Sequence, residues 1–147
     1  RSSDLPNLVV NVGLQLMNST FFTGSAYTAA WYLGLVTGPG SGTTFAASDT
    51  MSSHGGWSED TTYSNATRPA VTFGSPSLAD PSVIASTPTS FTINGTTTIA
   101  GAFLTTNSTK GGTTGTLFSA SDFTGGDRLL QSGDTLNVTY TFSLDAP

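Results

Sequence analysis

Apolar and polar residues alternate with a period of two over most of the second half of the chain. In "DTLNVTYTFSL", Leu136, Val138, Tyr140, Phe142 and Leu144 face one way, while Thr135, Asn137, Thr139, Thr141 and Ser143 face the other. That is the pattern of a strand with one buried face. Shorter segments of the same kind, "SFTI", "TTIAGAFLTT", "GTLFSA" and "DRLLQS", precede it with Gly, Asn, Asp and Ser between them, which predicts strands joined by turns. Further upstream, "YTAAWYLGLV" places Tyr27, Trp31, Leu33 and Leu35 on one side and Thr28, Tyr32 and Gly34 on the other. "ATRPAVTF" reads as an edge strand, because Pro69 has no N–H for a ladder.

The first segment differs. Leu5, Leu8, Val9, Val12, Leu16 and Met17 recur near the helical period, and Pro6 suits a first helical turn. Val9, Val10, Val12 and Gly13 are poor helix formers, so a strand or an extended arm stays open. A single helical turn capped by Ser48 and ended by Gly55 and Gly56 is a second expectation. These patterns predict an all-β domain: an antiparallel Greek-key sandwich or barrel of about seven short strands over residues 27–147, preceded by a short helix or arm in residues 1–26. Its core is expected to contain Trp31, Leu33, Phe91, Ile93, Phe103, Val138, Tyr140 and Phe142. No repeat of 20–50 residues is present.

Composition strengthens the β reading. Ser and Thr make up roughly a third of the 147 residues and charged residues 9%, so helix-forming Glu, Lys and Arg are scarce and β-branched Thr is abundant. The length suits one domain. The net charge is −5, and the four basic residues Arg1, Arg68, Lys110 and Arg128 are scattered, which argues against a nucleic-acid partner. Without cysteine there is neither a disulfide framework nor a thiolate metal site. No apolar run reaches the ~18 residues of a membrane span, and "RSSDLPN" lacks the order of a signal peptide.

Each candidate for chemistry has a plainer reading. "TTNSTKGGTTGTLFSA" sets Lys110 before Gly111 and Gly112, whereas a phosphate loop carries its Lys after the glycines and leads into a helix; here a strand follows, so a turn between strands is expected. His54, the one histidine, has Asp49, Ser52 and Ser53 nearby, but neighbours within one loop rarely form a triad, and no nucleophile elbow is present. Glu59 and Asp60 are adjacent, as in a solvent-facing loop, without the second acid a glycosidase requires. Asp122, Asp127 and Asp134 lie among turn glycines at spacings that fit no calcium loop, and aspartate is common in turns for its backbone hydrogen bonds. The five Asn-x-Ser/Thr triplets, at Asn18, Asn65, Asn94, Asn107 and Asn137, follow from a Thr-rich composition. No catalytic residue, cofactor or metal is therefore expected.

Three stretches carry a resemblance: "SDTMSSHGGWSEDTTYSNATRPA", "TIAGAFLTTNSTKGGTTGTLFSA" and "DFTGGDRLLQSGDTLNVTYTFSL". They resemble a family of small structural proteins of tailed bacteriophages, over roughly residues 27–144. The resemblance implies a virion component similar to head decoration, or cement, proteins, which bind the major capsid protein on the outer surface of the head. No nucleic-acid or membrane partner is expected, from the acidic charge and the lack of a membrane-length apolar run. A homo-oligomer is expected, and trimers suit a shell with local three-fold positions. The alternative is a tail- or fibre-associated module recognising a bacterial surface, which exposed aromatics near the "HGGW" loop would favour; an enzyme acting through His54 or Glu59 is a third reading.

Overall fold

A computed structural model describes residues 8–147. The elements follow in the order β1 (Leu8–Val9), α1 (Asn11–Phe22), β2 (Tyr32–Thr37), β3 (Glu59–Asp60), β4 (Ser82–Ala85), β5 (Thr89–Thr92), β6 (Thr97–Thr105), β7 (Leu117–Asp122), β8 (Arg128–Leu130), β9 (Thr135–Val138) and β10 (Thr141–Leu144). The fold is all-β with one helix of 12 residues. Ten strands lie among the described residues where about seven were expected: the two-residue β1 and β3 and the four-residue β4 were not among those expected, "DTLNVTYTFSL" divides into β9 and β10, and "ATRPAVTF" forms no strand.

The main sheet is antiparallel, in the order β1-β7-β6-β2-β3, with β8 paired to the first residues of β6 beside β7. Two antiparallel ribbons, β4 with β10 and β5 with β9, lie outside it. One face of the main sheet gives Leu33, Leu35, Ile99, Ala102 and Leu104 to a core shared with Tyr63, Phe91, Ile93, Leu136, Val138 and Tyr140. The opposite face gives Val36, Ala100, Phe103, Leu117 and Ala120 to a second core closed by Val10, Met51 and Trp57. Both faces being covered explains why "IAGAFL" is a continuous apolar run and does not alternate.

Of the expected core, Leu33, Phe91, Ile93, Val138 and Tyr140 are buried together, Phe103 is buried in the second core, and Trp31 and Phe142 are only partly buried against the first. The alternation in "DTLNVTYTFSL" is real, yet its partner changes midway: Leu136 and Val138 pair with β5, and Phe142 pairs with β4. Between them Ser86 holds Tyr140, donating its N–H to the Tyr140 carbonyl (2.8 Å) and accepting the Tyr140 N–H on its hydroxyl (2.9 Å). Phe142 then sits at the periphery, stacked edge-on against Phe118. Phe142→Ala should accordingly cost about 1–2 kcal/mol, below the ~3–5 kcal/mol of a fully enclosed Phe. Denaturant unfolding reads the difference, and a loss above that range would place Phe142 in the closed core.

Three local expectations need correction. Residues 47–52 form successive turns and not a helical turn, because the Asp49 carboxylate binds the Ala46 N–H (3.0 Å) and Thr50 and Ser53 bond each other's backbone. "ATRPAVTF" forms no strand; it follows the β2 edge through two bonds, Leu33 N–H to the Pro69 carbonyl and Val71 N–H to the Trp31 carbonyl. Of "YTAAWYLGLV", only residues from Tyr32 onward join the sheet.

The first segment divides between the two readings left open for it. Leu8 and Val9 pair with Ala120 and Ser119 of β7, and the helix starts only at Asn11. The helix lies so close to β7 that a Cβ on Gly13 would stand 2.7 Å from the Phe118 carbonyl oxygen. Glycine, weak in a helix, is what permits this approach. Arg1, Leu5 and Pro6 lie outside the described residues.

Candidate functional site

The stretch around Lys110 and the stretch from His54 to Pro69 meet. Arg68 is fully buried, and its guanidinium grips Glu59 with two bonds, Nε to Oε1 (2.9 Å) and Nη2 to Oε2 (2.7 Å). Its remaining donors reach the loop between β6 and β7: Nη1 to the Asn107 carbonyl (2.9 Å) and Nη2 to that of Gly112 (2.8 Å). The Gly111 N–H donates to Glu59 Oε2 (3.0 Å), from a backbone at φ +75° that suits glycine. Lys110 reaches the other way, donating to the carbonyls of Tyr63 (2.8 Å) and Asn65 (2.9 Å) with its ammonium over the Tyr63 ring. The glycine-rich loop is thus a clasp, in which backbone groups and one fork-shaped cation tie two distant stretches.

The neighbouring candidates are absorbed in the same way. Trp57 Nε1 donates to Asp49 Oδ2 (3.0 Å), and the His54 ring stacks on Trp57 at 3.9 Å with Nδ1 2.9 Å from the Trp57 carbonyl oxygen. His54 therefore anchors its loop, and Asp49 serves Trp57. Ser52 and Ser53 bond Thr50. Glu59 and Asp60, expected in a solvent-facing loop, occupy β3 and point to opposite sides: Glu59 to Arg68, and buried Asp60 to the Thr97 hydroxyl (2.6 Å) and the Thr62 N–H (2.8 Å). Asp122 accepts from the Thr43 hydroxyl and Asp127 from the Gly40 N–H, whereas Asp134 closes a separate turn at Gln131. Among the described residues no three His, Asp or Glu side chains converge on a metal position. Asn65, Asn107 and Asn137 are tied into side-chain hydrogen bonds.

Two buried phenols contribute a dependence of stability on alkaline pH. Burial raises both the Tyr63 and the Tyr140 pKa well above the usual phenol value; the Glu59 charge adds to the rise at Tyr63, and the Ser119 hydrogen bond opposes it at Tyr140. The unfolded chain loses these protons near pH ~10 while the folded chain keeps them. Their contribution is thus complete below pH ~10 and declines as pH rises beyond it, and phenylalanine at both positions should flatten that decline. At neutral pH the two diverge. Tyr140→Phe leaves the Ser119 hydroxyl without its 2.8 Å partner and should cost about 1–1.5 kcal/mol. Tyr63 has a buried hydroxyl with no hydrogen-bond partner, so Tyr63→Phe should be neutral or stabilising. Equal losses at both positions in chemical unfolding would contradict this assignment.

One surface is of another kind. α1, the segment after it and the end of β10 border an apolar hollow of about 710 Å³ lined by Leu16, Met17, Phe22, Tyr27, Trp31 and Leu144, among others. Phe21 and Phe22 stand on its rim, 81% and 77% exposed. Helical periodicity marks Leu16 and Met17 in the sequence but not Phe21 and Phe22. A signal was present, since no charged residue occurs from Leu5 to Ser48.

No protein family, curated protein or solved structure matches this chain.

Proposed function

We propose that the chain is a structural protein of a tailed-phage virion, a decoration protein that binds the major capsid protein on the outside of the assembled head and stabilises it. The observation that carries this reading is the clasp. Two of the three stretches that resemble phage structural proteins meet there, and among their charged side chains Asp49, Glu59, Arg68 and Lys110 bind internal groups. Residues arranged in this way encode a rigid frame. A frame that binds only the assembled shell stabilises it by mass action, with every copy adding to the effect.

The same arrangement governs how such a protein attaches. Arg68, Lys110 and Arg128 all donate to internal partners, so attachment rests on short-range hydrogen bonds and apolar contact, with little salt dependence. A fibre module reading bacterial sugars would use an aromatic face at the "HGGW" loop. Trp57 is buried there, between His54 and Phe103.

The test adds the purified chain to empty, expanded heads of the phage that encodes it. Saturable binding that changes little with salt and raises the temperature of shell rupture is the expected result. Failure to bind heads, or binding to tails alone, would refute the proposal.

A further inference from the structure

We infer that the apolar face formed by α1 and the end of β10 is a self-association surface, occupied by a second copy of this chain. This stands independently of the virion reading. Five of the large apolar side chains exposed among the described residues, Leu14, Phe21, Phe22, Tyr27 and Leu144, lie on α1, just after it, or on β10. Leu14 and Phe21 are seven residues apart, so they share a stripe of the helix. Gly13 and Met17, on the inner side, hold that helix against the sheet. The outer stripe is therefore presented on a fixed support.

Three features choose the occupant. The first is charge. The chain carries −5 overall, so two copies repel at most orientations, yet no residue lining the hollow is charged. Contact through this face brings neutral surface against neutral surface.

The second is shape. The rim knob, Phe21 and Phe22, and the hollow beside it belong to one continuous surface. A surface carrying both knob and hole can meet a copy of itself, as a closed symmetric contact requires. Asn18, Thr20, the Tyr27 hydroxyl and the Trp31 indole N–H are the polar groups of the lining, and no charged group is among them, so a charged ligand finds no counter-charge there.

The third is area. At about 150–250 Å² for a buried aromatic, the exposed parts of these five side chains amount to roughly 500 Å². That is most of the ~800 Å² per partner in a standard interface, with the intervening polar residues of α1 still to be counted.

The experiment is sedimentation of the intact chain across micromolar concentrations, at low and high salt. A homo-oligomer is expected, with association unchanged or strengthened by salt. Phe21→Ser with Phe22→Ser should raise the dissociation constant at least about a hundredfold while leaving the unfolding midpoint close to that of the parent at concentrations where the parent is monomeric, since both rings stand in solvent in the single chain. Leu78→Ser removes a fully exposed leucine elsewhere and should leave association unchanged.

An intact chain that stays monomeric overturns the inference, as does association that survives the double substitution, that is lost with Leu78→Ser, or that weakens with salt. If the double variant does not fold, Leu144→Asn alone must weaken association, and an unchanged constant there overturns the inference equally. A monomer that loses head binding on the double substitution would assign this face to the capsid protein instead.

Discussion

Replacing Arg68 with alanine lowers the free energy of unfolding by about 3–5 kcal/mol, the range found when one member of a buried ion pair is removed. The size follows from what is left behind. Arg68 is completely buried and the Glu59 side chain is 10% exposed, so without the guanidinium the carboxylate keeps only the Gly111 N–H. The carbonyls of Asn107 and Gly112 also lose the donors that hold the loop between β6 and β7 in place. The guanidinium carbon lies 5.2 Å from the Phe103 ring centre, so a cavity opens over the second core as well.

Apolar replacement of both partners, Arg68→Met with Glu59→Leu, should recover part of the loss, because the stranded charge is then gone. Chemical unfolding of the single and double variants forms a double-mutant cycle. A loss below about 1 kcal/mol for Arg68→Ala, the scale of an exposed ion pair, would mean that the clasp is a surface decoration and not part of the frame.

Gly101→Ala should be at least as damaging, with a loss of more than about 3 kcal/mol or failure to fold. Gly101 lies at the middle of β6, between β2 and β7. A Cβ there would overlap the Ser121 carbonyl oxygen and stand 2.7 Å from the Asp122 Cα. Both obstacles are backbone atoms of the paired strand, so relief requires β6 and β7 to part where they carry the sheet. Gly42 is the control, since nothing lies within 4 Å of a Cβ placed on it, and Gly42→Ala should stay within about 0.5 kcal/mol of the parent. Equal unfolding midpoints for the two variants would show that β6 and β7 are not packed as described.

What the sequence made legible is what periodicity measures. Leu136, Val138 and Tyr140 were readable as one buried face because side chains alternate along any extended chain. The change of partner from β5 to β4 was not, because alternation reports which side a residue faces and is silent on which strand lies beside it. Phe103 and Leu104 could not be sorted between two cores, since a strand covered on both faces has no polar side to mark its orientation. Lys110 was recognisable as part of a turn from its order relative to Gly111 and Gly112. Its grip on Tyr63 and Asn65 was hidden, because those partners lie more than forty residues away in the chain. Glu59 and Asp60 look solvent-facing in the sequence because adjacent acids usually are. A two-residue strand that sends them to opposite sides leaves no pattern to find.

A density map of the intact virion tests most directly the proposal that this frame serves the outside of a phage head. The expected result is density for the β domain on the outer surface of the head, against the major capsid protein and clear of the packaged nucleic acid. Density for the chain on the tail or its fibres, on the inner face of the shell, or nowhere in the particle would contradict it.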